Sequence, residues 1–132
     1  MDIALALIRH PHLEAILIAR RAPDTHLGGL WEFPGGKCLS GEMPAACAVR
    51  EAWEETGLVV EIREAWPHFT HVYPERTVTL HPFLCLAPTS DALPLASDAV
   101  IWARPGDLHH YAFPPANGPL LARLRGEAPY VF

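Results

Sequence analysis

Between Trp31 and Leu58 the chain reads WEFPGGKCLSGEMPAACAVREAWEETGL, and this stretch gathers Glu42, Glu51, Glu54 and Glu55 with Arg50, Gly35, Gly36 and Gly57. Closely spaced carboxylates bind hard divalent cations. Mg²⁺ takes carboxylate and backbone oxygens, keeps several waters and usually shares its shell with substrate phosphates. The chemistry this suggests is a divalent cation held by carboxylates and shared with the phosphates of a substrate.

That chemistry requires the acids on one face of one element. Pro44 suits the first turn of a helix, where a missing N–H costs nothing, and Gly57 suits the residue after its end, where φ is positive. At about 100° per residue, Glu51, Glu54 and Glu55 fall on one side, with Ala45, Val49, Ala52 and Trp53 opposite. Like charges one turn apart cost a few tenths of a kcal/mol per pair, so the acid face needs a partner. Such a run usually means a solvated face. Here it lies at a set distance behind a glycine-bearing loop, whose missing Cβ atoms would let backbone approach a ligand or metal.

Taken as G-x5-E-x7-R-E-x-x-E-E-x-G, the stretch runs Gly36, Glu42, Arg50, Glu51, Glu54, Glu55, Gly57 and resembles the Nudix box. This is the signature of hydrolases that cleave nucleoside diphosphates linked to another group. The resemblance extends to the MutT branch, the oxidised-guanine nucleotide pyrophosphatases. It rests on ARRAPDTH before the box, GGLWEFPGGK leading into it, YPERTVTL in the second half and FPPAN-x-P near the C-terminus.

The resemblance implies a mixed β-sheet sandwiched between helices, an α/β/α fold, and Mg²⁺, with Mn²⁺ as a substitute. Glu51, Glu54, Glu55 and the Gly35 carbonyl would surround the metal. Arg50 would orient the carboxylates and Glu42 would assist from the loop. Arg21, His26, Glu32, Phe33, Pro34, Gly35, Arg76 and Asn117 would contact a nucleoside triphosphate. The implied reaction is attack at the β-phosphorus, which turns 8-oxo-dGTP into 8-oxo-dGMP and pyrophosphate and so sanitises the nucleotide pool.

An amide at Asn117 offers a donor and an acceptor in one plane, which suits a guanine edge. A related branch acting on cytidine nucleotides tends to aspartate there, so a pyrophosphohydrolase for cytidine or modified pyrimidine nucleotides is the second reading. A nucleotide-sensing module of the same fold that does not cleave is the third. The plainer reading of Asn117 is a turn-forming or capping asparagine before the last helix. One departure from the family stands at Ala96, where a glutamate is common; either Asp98 replaces it in the metal shell or the box carboxylates suffice.

With 132 residues and 14.6 kDa, residues 1–132 are expected to be one domain. Half the residues are hydrophobic and 19% charged, a globular composition. A net charge of −5 and a pI near 5.8 argue against a general nucleic-acid polymer partner. Cys38, Cys47 and Cys85 are odd in number and form no C-x-x-C pair, so reduced thiols in the cytoplasm are expected; a monomer is expected as well. The start, MDIALALIRH, lacks a basic leader and is too short for a membrane span.

Along the chain, Ile3–Arg9 and Glu14–Arg20 read as a hairpin. Ala22–Leu30 is a loop, Trp31–Pro34 a short strand, and Val59–Trp66 and Arg76–Ala87 strands, with Pro82 marking an edge or a bulge. Pro67–Pro74 is aromatic and rich in histidine. His68, His71 and His81 match no zinc spacing and read as rim residues. Ala99–Ala103 is a last strand, Pro105–Leu108 a short helix, Phe113–Asn117 an ordered loop and Pro119–Arg125 an amphipathic helix.

Overall fold

A computed structural model describes residues 1–126; the final six positions of the expected domain lie outside the described residues. The first strand, β1 (Asp2–Arg9), is apolar on both faces because both are covered. Its residues alternate between two cores. Ala4, Ala6 and Ile8 pack on one side with Cys47, Ala48 and Ala52 of helix α1 (Pro44–Thr56), while Leu5 and Leu7 join a second cluster with Leu108, Leu120 and Leu124 on the other. This is the period of 2 that a doubly covered strand must show.

β1 runs parallel to β7 (Thr77–Leu86) along its whole length, from Asp2 opposite Thr79 to Arg9 opposite Leu86. The sheet has eight strands among the described residues. β2 (Ile16–Arg20) meets β1 only at Arg9 and Ile16, then pairs with β3 (Trp31–Glu32) and β8 (Ala99–Ala103). The expected hairpin is therefore real at its turn, but its strands part at once. β1 is free beyond that point to take β4 (Gly35–Lys37) as its antiparallel neighbour.

β4 corrects the reading of Gly35 and Gly36 as a loop. A Cβ on Gly35 would stand 2.2 Å from the Ala4 carbonyl oxygen, so the glycine allows this close strand approach.

The segment Pro67–Pro74 also holds a strand, β6 (Phe69–Val72), which pairs with the first half of β7, while β5 (Glu61–Ala65) pairs with the second half. Pro82 is thus in a central strand and not at an edge. It stands between Leu80, opposite Phe69, and Phe83, opposite Ala65, where β5 and β6 hand over. Its carbonyl accepts the Trp66 N–H at 3.0 Å, and the bulge of this region lies in β5, between Ile62 and Glu64.

α1 starts with Pro44 in its first turn and ends at Gly57 with φ 76°, as the sequence predicts. Its buried face differs from the expected one. Cys47, Ala48, Ala52 and Thr56 are buried, whereas Trp53 is 57% exposed. Small side chains let the helix sit close to Ala4 and Ala6; an indole at residue 53 would not fit between them. The opposite layer consists of two 3₁₀ turns, Pro105–His110 and Pro115–Asn117, and helix α2 (Gly118–Leu124), with Leu120 and Leu124 buried. The molecule is a mixed sheet between helices. No helix among the described residues is long and apolar enough to cross a membrane.

Candidate active site

The acid face of α1 meets the end of β4. Arg50 is its hub: Nε and Nη2 donate to the two oxygens of Glu42 at 2.8 and 3.0 Å, and Nη1 donates to Glu51 at 2.9 Å and to Glu54 at 3.1 and 3.2 Å. A planar guanidinium can span several carboxylates in this way. The Leu39 N–H also donates to Glu42, at 2.9 Å. Arg50, with help from that bond, pulls the Glu42 carboxyl down to about 2, and its three acidic partners push Arg50 further up.

Among the described residues no cation pairs with Glu55 in this way. Its Oε1 accepts the Gly35 N–H at 2.9 Å, yet burial, reinforced by the charges of Glu32, Glu51 and Glu54, raises its carboxyl to about 7. Excess negative charge made only of hard oxygen donors fits a Mg²⁺-type ion. Gly36 supports the same fit, because the place of its absent Cβ is filled by Glu51, whose Cδ lies 2.6 Å from it. As placed, the carboxylates turn to Arg50 and Gly35, and among the described residues no three His, Cys, Asp or Glu side chains converge on one point. Gathering Glu51, Glu54 and Glu55 about a cation takes side-chain rotation, which Glu54, 46% exposed, can make freely.

Across Gly35 and Gly36 from these acids opens a cleft of about 310 Å³. Arg21, His26, Glu32, Phe33, Gly35, Arg76 and Asn117 all line it. Arg21, at the end of β2, donates to Glu32 at 2.9 Å and to the His26 carbonyl at 2.7 Å. These bonds fix the loop of residues 22–30, which closes on itself through Arg21 N–H to Leu30 O and Gly29 N–H to Arg21 O, both 2.9 Å. Leu27 takes φ 56° there, an uncommon conformation for a non-glycine residue.

Asn117 ends a 3₁₀ turn behind Pro114 and Pro115 and makes no side-chain cap to α2, so its amide is not used up by the helix. Phe33 is buried and stacks on Phe113, ring centroids 5.3 Å apart, which ties β3 to the Asn117 loop.

Pro34 and Glu42 stand apart from the cleft. Pro34 is buried and gives its carbonyl to the Ala6 N–H at 2.7 Å. Glu42 borders a separate depression with Asp2, Lys37, Cys38 and His81. Asp98, one of the two alternatives for the departure at Ala96, is paired with Arg20, whose Nε lies 3.0 Å from Oδ2. Ala96 instead borders a small void between Glu32 and Glu55.

His81 pairs with Asp2 at 2.9 Å, His68 lies against His81 and His71 against Tyr73. Sequence reasoning missed Tyr73 and Leu80, which line the cleft, with Arg76 over the Tyr73 ring at 6.0 Å. The aromatic content of PHFTHVYP was the available signal; which side of β6 and its turn the ring would take was not.

A larger depression of about 850 Å³ lies at the other end of the sheet, lined by His12, Trp102, Arg104 and Asp107, away from the acids.

The sequence matches the NUDIX domain over residues 4–123. It is 34% identical over 125 residues to an 8-oxo-dGTP diphosphatase of Escherichia coli (strain K12), covering 95% of this chain and 96% of the relative. A CTP pyrophosphohydrolase of the same organism is 30% identical over 106 residues, 80% of this chain and 78% of that one. Among solved structures, one from a study of MutT from Aliivibrio salmonicida and Vibrio cholerae superposes with a TM-score of 0.76 at 29% identity, over 96% of this chain and 98% of that chain. An acid helix, the glycines beside it and a cleft next to both therefore stand in a known frame, and the chain belongs to the NUDIX domain family.

Proposed function

We propose that the protein is a Mg²⁺-dependent nucleoside triphosphate pyrophosphohydrolase of MutT type, acting on 8-oxo-dGTP to give 8-oxo-dGMP and pyrophosphate. The observation that carries this reading is continuity. Gly35 and Gly36 border both the carboxylate cluster of α1 and the cleft that holds Arg21, His26, Arg76 and Asn117. A base seated by Asn117 would leave its phosphates beside Glu51, Glu54 and Glu55. The similarity to 8-oxo-dGTP diphosphatases over nearly the whole length supports the substrate class.

Glu51, Glu54, Glu55 and the Gly35 carbonyl would hold the ion, with Mn²⁺ able to replace Mg²⁺. When bound, it supplies positive charge that offsets the triphosphate as the P–O bond breaks. The chain does the rest. Arg50 keeps Glu51 and Glu54 aimed by charge-assisted hydrogen bonds. Arg21, already tied to Glu32 and His26, offers a preset guanidinium at the cleft wall. Asn117 reads the base edge with one donor and one acceptor. In this reading the enzyme acts as a cytoplasmic monomer.

The similarity to a CTP pyrophosphohydrolase favours a pyrimidine nucleotide as the second reading. The deciding experiment measures pyrophosphate release from 8-oxo-dGTP, dGTP, CTP and dCTP with Mg²⁺, for the wild type, Glu54→Gln and Asn117→Ala. We expect 8-oxo-dGTP to lead, Glu54→Gln to lose turnover on every substrate, and Asn117→Ala to lose mainly the ranking. Normal turnover by Glu54→Gln would remove the metal assignment. An unchanged ranking in Asn117→Ala would remove the base assignment, and CTP in first place would move the enzyme to the pyrimidine reading.

A further inference from the structure

Two of the three cysteines are brought together beside the acid helix. Gly36 and Cys38 lie two residues apart at the end of β4 and so face the same side of the sheet. Cys47 and Glu51 lie one turn apart on α1 and share a face. The two elements are in register: the absent Gly36 Cβ points at Glu51, Cys47 Sγ donates to the Gly36 carbonyl at 3.5 Å, and Cys38 packs against the cluster containing Cys47, its thiol interacting directly with the Cys47 thiol.

The surroundings of the three thiols differ. Cys38 is half-buried and borders an open depression of about 540 Å³ with Asp2, Lys37 and His81. Cys47 is fully buried behind it, and Cys85 is buried on β7, its Sγ donating to the Phe83 carbonyl. A reagent entering from solvent meets Cys38 first. Of the two buried thiols, Cys47 is the one that interacts with Cys38.

We infer that Cys38 and Cys47 form a peroxide-oxidisable dithiol whose closure loosens the Arg50 clamp. Cys38 sulfur attacks a hydroperoxide: an S–O bond forms, the O–O bond breaks, and with hydrogen peroxide the thiol proton leaves with the departing hydroxide as water. Cys47 sulfur then attacks the Cys38 sulfenic acid: the S–S bond forms, the S–O bond breaks, and the Cys47 proton leaves with the hydroxyl as a second water. Two thiols lose two electrons and the peroxide gains them.

The consequence for the site runs through one contact. Arg50 Nη2 lies 3.8 Å from Cys47 Sγ and also donates to Glu42 and to the Lys37 carbonyl. A disulfide redirects that sulfur from Gly36 and Arg50 to Cys38, across the loop that carries Glu42. This effect on turnover rests on the proposed pyrophosphohydrolase; the thiol chemistry does not.

The test treats the reduced full-length protein with hydrogen peroxide, alkylates the remaining thiols and maps the peptides by mass. Expected are a linked Cys38–Cys47 peptide, an alkylated Cys85, full reversal by dithiothreitol, and a roughly tenfold fall in pyrophosphate release that returns on reduction. In Cys47→Ala, Cys38 should stop at a sulfenic acid that dimedone captures; in Cys38→Ser, both Cys47 and Cys85 should stay reduced. Overoxidation of Cys38 in the wild type without a linked peptide, or linkage to Cys85 or to a second chain, overturns the dithiol. A linked peptide with unchanged turnover overturns the coupling to Arg50. A reduced protein that releases no pyrophosphate from any nucleotide overturns the proposed activity and leaves the mass readout intact.

Discussion

Arg50 bridges three carboxylates with one guanidinium, and this residue shows why type as well as charge matters. Lysine at that place keeps the charge but cannot bridge Glu42, Glu51 and Glu54 together. Arg50→Lys is expected to lower kcat with Mg²⁺ by about 10- to 100-fold, the usual cost of losing a group that orients metal-site ligands, with an unchanged far-UV circular dichroism spectrum. Glu55 behaves oppositely to Glu42. Its carboxyl is raised to about 7 from an ordinary 4.5, so between those values the unfolded chain ionises first and the folded chain holds the proton. Stability must therefore fall as pH rises from about 4.5 to about 7, by up to about 3 kcal/mol at 1.36 kcal/mol per unit. Melting curves in chelator should show this decline in the wild type and lose it in Glu55→Gln. A cation on Glu55 favours its ionised form, so Mg²⁺ binding should release a proton below pH 7. Glu42, lowered to about 2 by Arg50, adds stability above the ordinary carboxylate range and loses it as pH falls through about 2, outside the Glu55 window.

At the scale of elements, the two glycines of β4 have different duties, and substitution separates them. Alanine at residue 35 drives a Cβ into the Ala4 carbonyl at 2.2 Å and Leu5 Cα at 2.9 Å, both backbone, so Gly35→Ala is expected to cost about 2–4 kcal/mol and lower Tm. For alanine at residue 36 the three nearest atoms all belong to the Glu51 carboxylate, the far end of a flexible side chain. Gly36→Ala should leave Tm within a degree or two and weaken Mg²⁺-dependent turnover, read from the metal concentration at half-maximal rate. The sequence marked both glycines as places of close approach without telling which neighbour approaches. α1 shows the same division. Its start, its end and its acid face follow from Pro44, Gly57 and the Glu spacing, but periodicity puts Trp53 on the buried face because it cannot tell a shallow face from a deep one. The tight seat on Ala4 and Ala6 admits only Cys47, Ala48 and Ala52.

For the whole molecule, the site depends on α1 and the Asn117 loop being carried by opposite faces of one sheet. Strands β1, β2, β7 and β8 give side chains to both cores, so a change that lifts α1 also moves the acids relative to the cleft. Ala48→Leu is expected to cost about 1–3 kcal/mol by overpacking against the sheet and to reduce turnover more than base ranking, checked by melting and the four-nucleotide panel together. Sequence alone settled what is local or tied to fixed spacing, the acid helix with its caps and the apolar run of residues 3–8 in β1, and, by resemblance, pointed to the family and to residues such as Arg21, His26 and Asn117 that line the cleft. The helix is legible because periodicity, capping and a box of set intervals act within a few turns of chain; Arg21, His26 and Asn117 are implied by the resemblance of their segments to the family. Tertiary structure alone decided the rest: that β1 leaves its hairpin partner for β4 and β7, that Pro82 sits where β5 hands over to β6, that Arg20 claims Asp98, that Tyr73 reaches the cleft and that Cys38 meets Cys47. Each of these joins residues far apart in the chain or depends on which face of a sheet a neighbour covers, and that choice is made by packing competition among all the elements at once.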